Sequence, residues 1–350
     1  MKKINFGIVG TGQMAATMVN AMRLMPNIEI VAVCGSSTER ASAFAEKFSI
    51  SKAYALLDEM LSQPNIDAIY IANANAQHTA NTIASLQKGK AVLCEKPIAI
   101  SEDECQQIIS VANATGKLCM EAMWTHCLPA YQTLFEMNQK EVLGKALHLY
   151  ADFGYPVNPQ SFPRMFANTA GNGVLLDRAV YPISMAIRLL GGVKSVRSEI
   201  AKNSDGLDTH ADLMLTHENG GQTQLAVSFQ TLLQNRATLS CENGNISLEP
   251  PLLGAETLLV NHVMPDSGQQ TDSSGLKSKL KEKFKQSAFL RFLKMKKGGK
   301  SNFYSYGKNQ YLPLLQHFCA LYEAKKLESD LIPLSLSAQV LRVIALAKKD

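Results

Sequence analysis

A short apolar run from Ile4 to Val9 gives way to Gly10-Thr11-Gly12, and apolar residues then recur at helical spacing from Met14 to Met25. The run predicts a strand buried on both faces; the spacing predicts a helix behind it. The couplet repeats. Ile28 to Cys34 reads as a strand before a helix from Thr38, its expected N-cap, to Phe48. Ala68 to Ala72 precedes a helix from Ala76 to Lys88, and Ala91 to Cys94 precedes one opened by Ser101, with Glu104 completing a capping box. Leu118 to Glu121 reads as a fifth strand. Repeated strand–helix units predict an α/β Rossmann domain, a parallel doubly wound sheet with right-handed crossovers.

Beyond about residue 145 the pattern changes to short strands without helices between most of them: Ala146–Phe153, Ser195–Ala201, Ala211–His217, Thr223–Phe229, Arg236–Cys241 and Asn245–Leu248. Asn219-Gly220-Gly221 and Glu242-Asn243-Gly244-Asn245 are hairpin-type turns. With helices expected at about 173–190, 309–325 and 335–348, the second half predicts an α+β domain with a mostly antiparallel sheet. The expected division is 1–123 for the strand–helix domain and 124–350 for the second. The length of 350 residues agrees, since single domains hold ~100–200.

Composition adds one qualification. The net charge of +5 is uneven: between Lys277 and Lys300 there are ten basic residues and one acid, so the remainder carries −4. A chain of that balance is no general nucleic-acid binder. The excess sits in an insert at about 265–305, where Leu276, Leu280, Phe284 and Ala288 recur at four-residue spacing among lysines. That predicts a cationic amphipathic helix over 276–297, either a lid over the second sheet or a contact with an anionic membrane surface. Seven cysteines without a C-x-x-C pair suggest reduced thiols, and no apolar stretch is long enough to span a bilayer. A cytoplasmic location is the expectation.

Gly10-x-Gly12-x-x-Ala15 follows a strand and opens a helix, the context in which it binds a dinucleotide. The first glycine permits the turn and the second lets the backbone approach a pyrophosphate. The helix end at Gln13 and Met14 offers free N–H groups to the phosphates. After the second strand, where an NAD site usually carries an acid, stand Ser36 and Ser37, with Arg40 in the first helical turn. Hydroxyls plus a guanidinium suit a 2′-phosphate, so NADP is the expected cofactor, with NAD as the alternative. Glu39 lies past the tip, facing solvent.

Glu95-Lys96-Pro97 places a lysine at the carboxyl end of a strand, where ligands bind in open α/β sheets. Together with the glycine loop and Gly171-Asn172-Gly173-Val174-Leu175-Leu176-Asp177-Arg178-Ala179-Val180-Tyr181-Pro182, it resembles the Gfo/Idh/MocA family of NAD(P)-dependent oxidoreductases. Met120-Glu121-Ala122-Met123-Trp124-Thr125 resembles its dimeric dihydrodiol dehydrogenase and glucose-fructose oxidoreductase branch. The resemblance runs from Ile4 to about Leu346, excepting the insert. It implies an open-faced second sheet, a homodimer or higher homo-oligomer, and hydride transfer at the nicotinamide. On Lys96 it puts contact with cofactor and reacting oxygen, and on Tyr181 the proton relay.

The chemistry agrees: a ketone being reduced needs a proton, and a nearby ammonium lowers a phenol's pKa, here from an ordinary value near 10 toward neutrality. Asp177 sits one helical turn before Tyr181, placed to orient substrate or to pair with Lys96. The alternative makes Tyr181 a core aromatic and Asp177 a plain helical charge. Two departures stand out. The branch carries Gly where Ala179 stands and an apolar residue where Arg178 stands; Arg178 would either bind an acidic group of the substrate or pair with a carboxylate elsewhere.

The resemblance lays the loop holding Asn73, Asn75 and His78 against the cofactor, with Glu95 beside Lys96; Asn75 as a simple helix cap is the alternative. Trp124 and Phe153 read as the aromatic wall of a substrate pocket or as core. The histidines lack metal-ligand spacing, so no metal is expected. The function expected is an NADP-dependent oxidoreductase acting on a sugar, polyol or cyclic alcohol or ketone. Competing readings are a cofactor-retaining sugar-converting enzyme and a non-catalytic NADP-binding sensor.

Overall fold

The structure is a computed structural model that describes residues 3–263 and 299–349. The expected basic helix over 276–297 lies outside the described residues, and with it both roles set out for it.

The first six strands form one parallel sheet in the order β3-β2-β1-β4-β5-β6. They are β1 (Ile4–Val9), β2 (Ile28–Cys34), β3 (Lys52–Tyr54), β4 (Ala68–Ile71), β5 (Ala91–Cys94) and β6 (Cys119–Glu121). Strands β4, β5 and β6 are buried at every position, as burial between two helix layers requires. Between and after them run α1 (Gln13–Met22), α2 (Thr38–Lys47), α3 (Leu57–Leu61), α4 (His78–Gln87) and α5 (Glu102–Thr115). The order reverses between β1 and β4, and the crevice at such a point is where ligands bind.

Two local expectations change. Ser37, not Thr38, caps α2: its extended backbone lets Oγ accept from Arg40 N at 3.3 Å. The helix expected from Ala76 begins as a 3₁₀ turn over Asn75–Gln77, and α4 proper starts at His78. Ser101 does cap α5, accepting from Glu104 N at 3.2 Å. The Glu104 carboxylate turns instead to Ile100 N and Thr79 Oγ1, tying α5 to α4.

After α6 (Pro129–Gln139), the second sheet has eight strands in the order β14-β13-β12-β11-β7-β10-β9-β8. They are β7 (Ala146–Gly154), β8 (Val193–Lys202), β9 (Asp208–His217), β10 (Gln222–Ser228), β11 (Ala237–Cys241), β12 (Gly244–Leu248), β13 (Thr257–His262) and β14 (Lys300–Phe303). All neighbours are antiparallel except β7 and β10. Alternation gives it one packed face: in β10, Leu225 and Val227 are buried while Gln222 and Gln224 are exposed. Tyr150 and Met214, from β7 and β9, are also exposed.

A four-residue turn of helix, α7 (Pro163–Phe166), and α8 (Val180–Leu190) lie between β7 and β8. Every residue of α8 except Arg188 is buried. The chain then returns through α9 (Leu312–Glu323) and α10 (Leu334–Ala347). Helix α10 packs against α5 of the first unit and α8 of the second. On this helix the Ser337 hydroxyl donates to Glu121 Oε2 at the end of β6. The C-terminal helix thereby holds the two sheets to either side of one cleft.

Candidate active site

The cleft, about 940 Å³, lies between the carboxyl edge of the first sheet and residues of the second unit. Its nucleotide side begins at the turn after β1. Gly10 has φ +114°, and a Cβ there would stand 2.5 Å from the Ala72 carbonyl oxygen, so only glycine fits. A Cβ on Gly12 would meet nothing within 4 Å: the space above it is open. Helix α1 has no side-chain cap and no acid in its first turn, whereas α2 and α5 are both capped by serine. Its first intrahelical bond is Ala16 N to Gly12 O, which leaves the N–H groups of Gln13, Met14 and Ala15 free to bind an anion.

At the end of β2, Gly35 lies so close to α2 that a Cβ would meet Ala41 N at 2.9 Å. Ser36 and Arg40 are exposed, Ser37 is half-buried, and all three lie outside the lining of the main cleft. The exposed Glu39 carboxylate is held below its ordinary pKa by a hydrogen bond with Ser37.

After β4, Asn73 donates to Gln77 Oε1 at 2.8 Å and keeps a buried Oδ1 without a hydrogen-bond partner. Asn75 does not cap α4. It donates from Nδ2 to Gly171 O at 2.7 Å, joining the loop to the second unit. His78 is buried, with Nδ1 2.8 Å from Pro97 O and Nε2 3.3 Å from Asn73 O, and burial lowers its pKa. The imidazole therefore ties together the loops that follow β4 and β5.

Glu95 and Lys96 leave the end of β5. Tyr70 donates to Glu95 Oε1 at 2.6 Å; burial nonetheless pushes the Glu95 carboxyl up to about 7. Lys96 Nζ donates to Asp177 Oδ1 at 2.7 Å and to the Asp177 carbonyl at 2.8 Å. Burial works against its charge, but Asp177, Tyr181 and Glu95 outweigh it and raise its pKa. Asp177 belongs to a widened π turn, Leu175–Ala179, that enters α8. Gly173 opens that turn with φ +110°; a Cβ there would strike Asp208, whose carboxylate accepts from Leu175 N.

Tyr181, in the first turn of α8, has its ring centroid 5.1 Å from Lys96 Nζ. The expectation of a phenol tuned toward neutrality fails in this structure. Burial raises its pKa more than Lys96 lowers it, and Glu95 and Asp177 add to the rise. Tyr181 holds its proton.

The opposite wall is aromatic. Trp124 packs against Tyr311 at 5.1 Å with the rings tilted by 54°, and Phe153 stands edge-on to Tyr181 at 6.0 Å and 85°. Met14, Asn73, Asn75, His78, Glu95, Lys96, Asp177, Tyr181, Trp124 and Phe153 are all brought to this one cleft. Arg178 is not. It is 1% exposed and lies outside the lining: its Nη1 donates to the Tyr155 and Ser228 carbonyls and its Nε lies 4.0 Å from the Asp177 carboxylate, the carboxylate pairing that was the second expectation for it. Sequence reading missed Tyr155, Gln234, Asn235, Gln310 and Tyr311, which also line the cleft. They come from separate loops with no shared spacing, so no motif marked them. Among the described residues there is no cluster of metal-ligating groups, and no helix long and apolar enough to cross a membrane.

Fold and cleft define a class: a two-domain oxidoreductase built on an NAD-binding Rossmann unit. A model for the oxidoreductase family with that NAD-binding fold matches residues 4–123, and one for the GFO/IDH/MocA C-terminal domain matches 131–247. The chain belongs to the Gfo/Idh/MocA family of oxidoreductases. It is 31% identical over 252 residues to trans-1,2-dihydrobenzene-1,2-diol dehydrogenase of Sus scrofa, covering 71% of this chain and 75% of that one. The Mus musculus protein of the same name is 28% identical over 280 residues, covering 74% and 84%.

Among solved structures, levoglucosan dehydrogenase in complex with NADH and levoglucosan superposes with a TM-score of 0.81 at 18% identity, covering 99% of this chain and 98% of that one. KijD10, a 3-ketoreductase from Actinomadura kijaniata in complex with NADP and TDP-benzene, gives 0.79 at 19%, with the same coverage. These two likenesses show the fold.

Proposed function

We propose that the protein is an NADP-dependent oxidoreductase that moves hydride between the nicotinamide and a sugar, polyol or cyclic alcohol or ketone. The observation that carries this reading is the placement of Lys96, Asp177 and Tyr181 together in the cleft beside the uncapped end of α1. The names of the relatives, a dihydrobenzenediol dehydrogenase, a levoglucosan dehydrogenase and a 3-ketoreductase, support the substrate class.

The residues present fit a dinucleotide. The open space at Gly12 and the free N–H groups of α1 suit a pyrophosphate. Ser36 and Arg40, both exposed past β2, would hold a 2′-phosphate, joined by Ser37 once its hydroxyl turns from Glu39. Asn73, Asn75, His78 and Glu95 would flank the nicotinamide end. The bound cofactor supplies the hydride donor or acceptor.

In reduction, Tyr181 Oη gives its proton to the substrate oxygen as that oxygen gains charge. The phenolate left behind is stabilised by the Lys96 ammonium, which Asp177 keeps charged and oriented through two hydrogen bonds. In oxidation the same phenolate takes the proton. The aromatic wall of Trp124 and Phe153 presents an apolar face to the substrate ring.

Steady-state rates with NADPH and NADH, over a panel of diols and ketoses, test the reading. Net turnover with NADPH preferred supports it; strict NADH preference, or activity without net cofactor turnover, contradicts it. We also place a homodimer contact on the exposed face of the second sheet, around Tyr150 and Met214, which light scattering of the purified protein would test.

A further inference from the structure

We propose that Arg178 is the positioning residue of the substrate wall: its guanidinium fixes Tyr155 and Phe153, two of the rings that face the substrate. The inference rests on the cleft being the site of the activity proposed above.

Strands β7 and β10 run parallel, and their last paired residues are Gly154 and Ser228. Arg178 Nη1 donates to carbonyls on both sides of that end, Tyr155 O at 2.9 Å and Ser228 O. It thereby holds the two strand ends together. Three rings enclose the same guanidinium: Tyr155 at 3.9 Å, Phe229 at 4.7 Å and Phe153 at 5.3 Å from the charged carbon. A buried cation against aromatic faces is stabilised by their quadrupoles, and only a planar group also reaches two carbonyls in that slot.

Two of the three rings line the cleft, and Phe153 meets both Tyr155, at 5.6 Å, and Tyr181, at 6.0 Å. Arg178 Nε lies 4.0 Å from Asp177 Oδ2, whose other oxygen holds Lys96. The guanidinium thus backs the wall from behind without entering the cleft.

With Arg178 engaged elsewhere, Lys96 is the one cation among the described lining residues, and Asp177 already matches its charge. Recognition is left to ring faces and to the amides of Gln234, Asn235 and Gln310, which suits an uncharged substrate.

The test compares Arg178→Met, Arg178→Lys and Tyr155→Leu with the wild type. Arg178→Met should raise KM about tenfold while kcat falls less than about threefold, with NADPH affinity unchanged. Arg178→Lys should recover part of the loss. Tyr155→Leu, at a residue 47% exposed and so tolerant of change, should raise KM similarly, and added to Arg178→Met should cost little more. Selectivity between a neutral cyclic diol and its carboxylated counterpart should not change in any variant.

An unaltered KM in folded Arg178→Met overturns the proposal, as does collapse of that selectivity, which would place the guanidinium on a substrate anion. If Arg178→Met does not fold, Arg178→Lys and Tyr155→Leu decide in the same way. If the wild type turns over nothing in the panel, the activity reading fails. Crystal structures then decide the positioning claim alone: Tyr155 and Phe153 displaced in Arg178→Lys or Arg178→Met support it, and rings in place overturn it.

Discussion

The two sides of the cleft are built by different means. On the nucleotide side the binding groups are backbone: a glycine turn, an uncapped helix end and the ends of parallel strands. On the other side the cleft is lined by side chains gathered from Trp124, Phe153, Tyr181, Gln234 and Tyr311, held by packing such as that of Phe153 and Tyr155 on Arg178. A backbone site tolerates change in side chains but not in φ. A side-chain site is the reverse, and can be retuned for another substrate while the cofactor side stays as it is.

The largest expected effect falls where the sides meet. Lys96→Met should lower turnover by about 10²–10⁴-fold, since the ammonium that stabilises the Tyr181 phenolate is lost. Turnover near wild type would remove Lys96 from the chemistry and leave the two sides unconnected. Next is Gly10→Ala, which forces a side chain into φ +114° and against the Ala72 carbonyl, a cost of about 1–3 kcal/mol from backbone strain alone. Calorimetric titration should show cofactor affinity falling about tenfold or more. Unchanged affinity would mean that backbone geometry does not govern the nucleotide side.

A smaller effect is expected for Arg40→Ala, which should reduce the preference for NADPH over NADH by about tenfold, read as a ratio of kcat/KM values. No change in the ratio would assign Arg40 to solvent.

The smallest effect concerns stability. Burial raises the Glu95 carboxyl from an ordinary 4.5 to about 7, so the folded state binds that proton more tightly than the unfolded state. The stabilisation is complete below pH 4.5 and is lost as pH rises through 7. Gln does not titrate. The melting temperature of Glu95→Gln should therefore gain on that of wild type by about 2–4 °C between acidic and mildly alkaline pH. A pH-independent difference would contradict the raised pKa.

The same contrast explains what was legible in the sequence. The nucleotide side lies in contiguous motifs, and β1, β2 and β5 fall at the expected residues because buried parallel strands are short apolar runs with sharp ends. Lys96 and Tyr181, which the structure brings to the cleft, could be singled out for the same reason, each standing in a recognisable local segment. Strand β3, only three residues long, and β14, with the sequence KSNF, carry no alternation to read. The two alternatives for Arg178, a substrate anion or a carboxylate of the protein, stayed open in the sequence because an exposed and a buried guanidinium look alike there, and the structure pairs it with Asp177. Its partners, Tyr155, Ser228 and Phe229, are brought to it only by the end of the β7–β10 pair. The Tyr181 pKa was misjudged likewise, since its burial depends on residues far along the chain.

The central claim is that Tyr181 carries the proton, and the pH dependence of both reaction directions tests it most directly. With its pKa raised by burial, the phenol stays protonated through neutrality. Reduction by wild type should therefore be nearly flat across neutral pH, while oxidation, which needs the phenolate, climbs about tenfold per unit toward alkaline pH. Tyr181→Phe, with cofactor affinity retained, should lose most turnover together with the alkaline rise in oxidation. An equally steep rise in that variant would show that another group moves the proton.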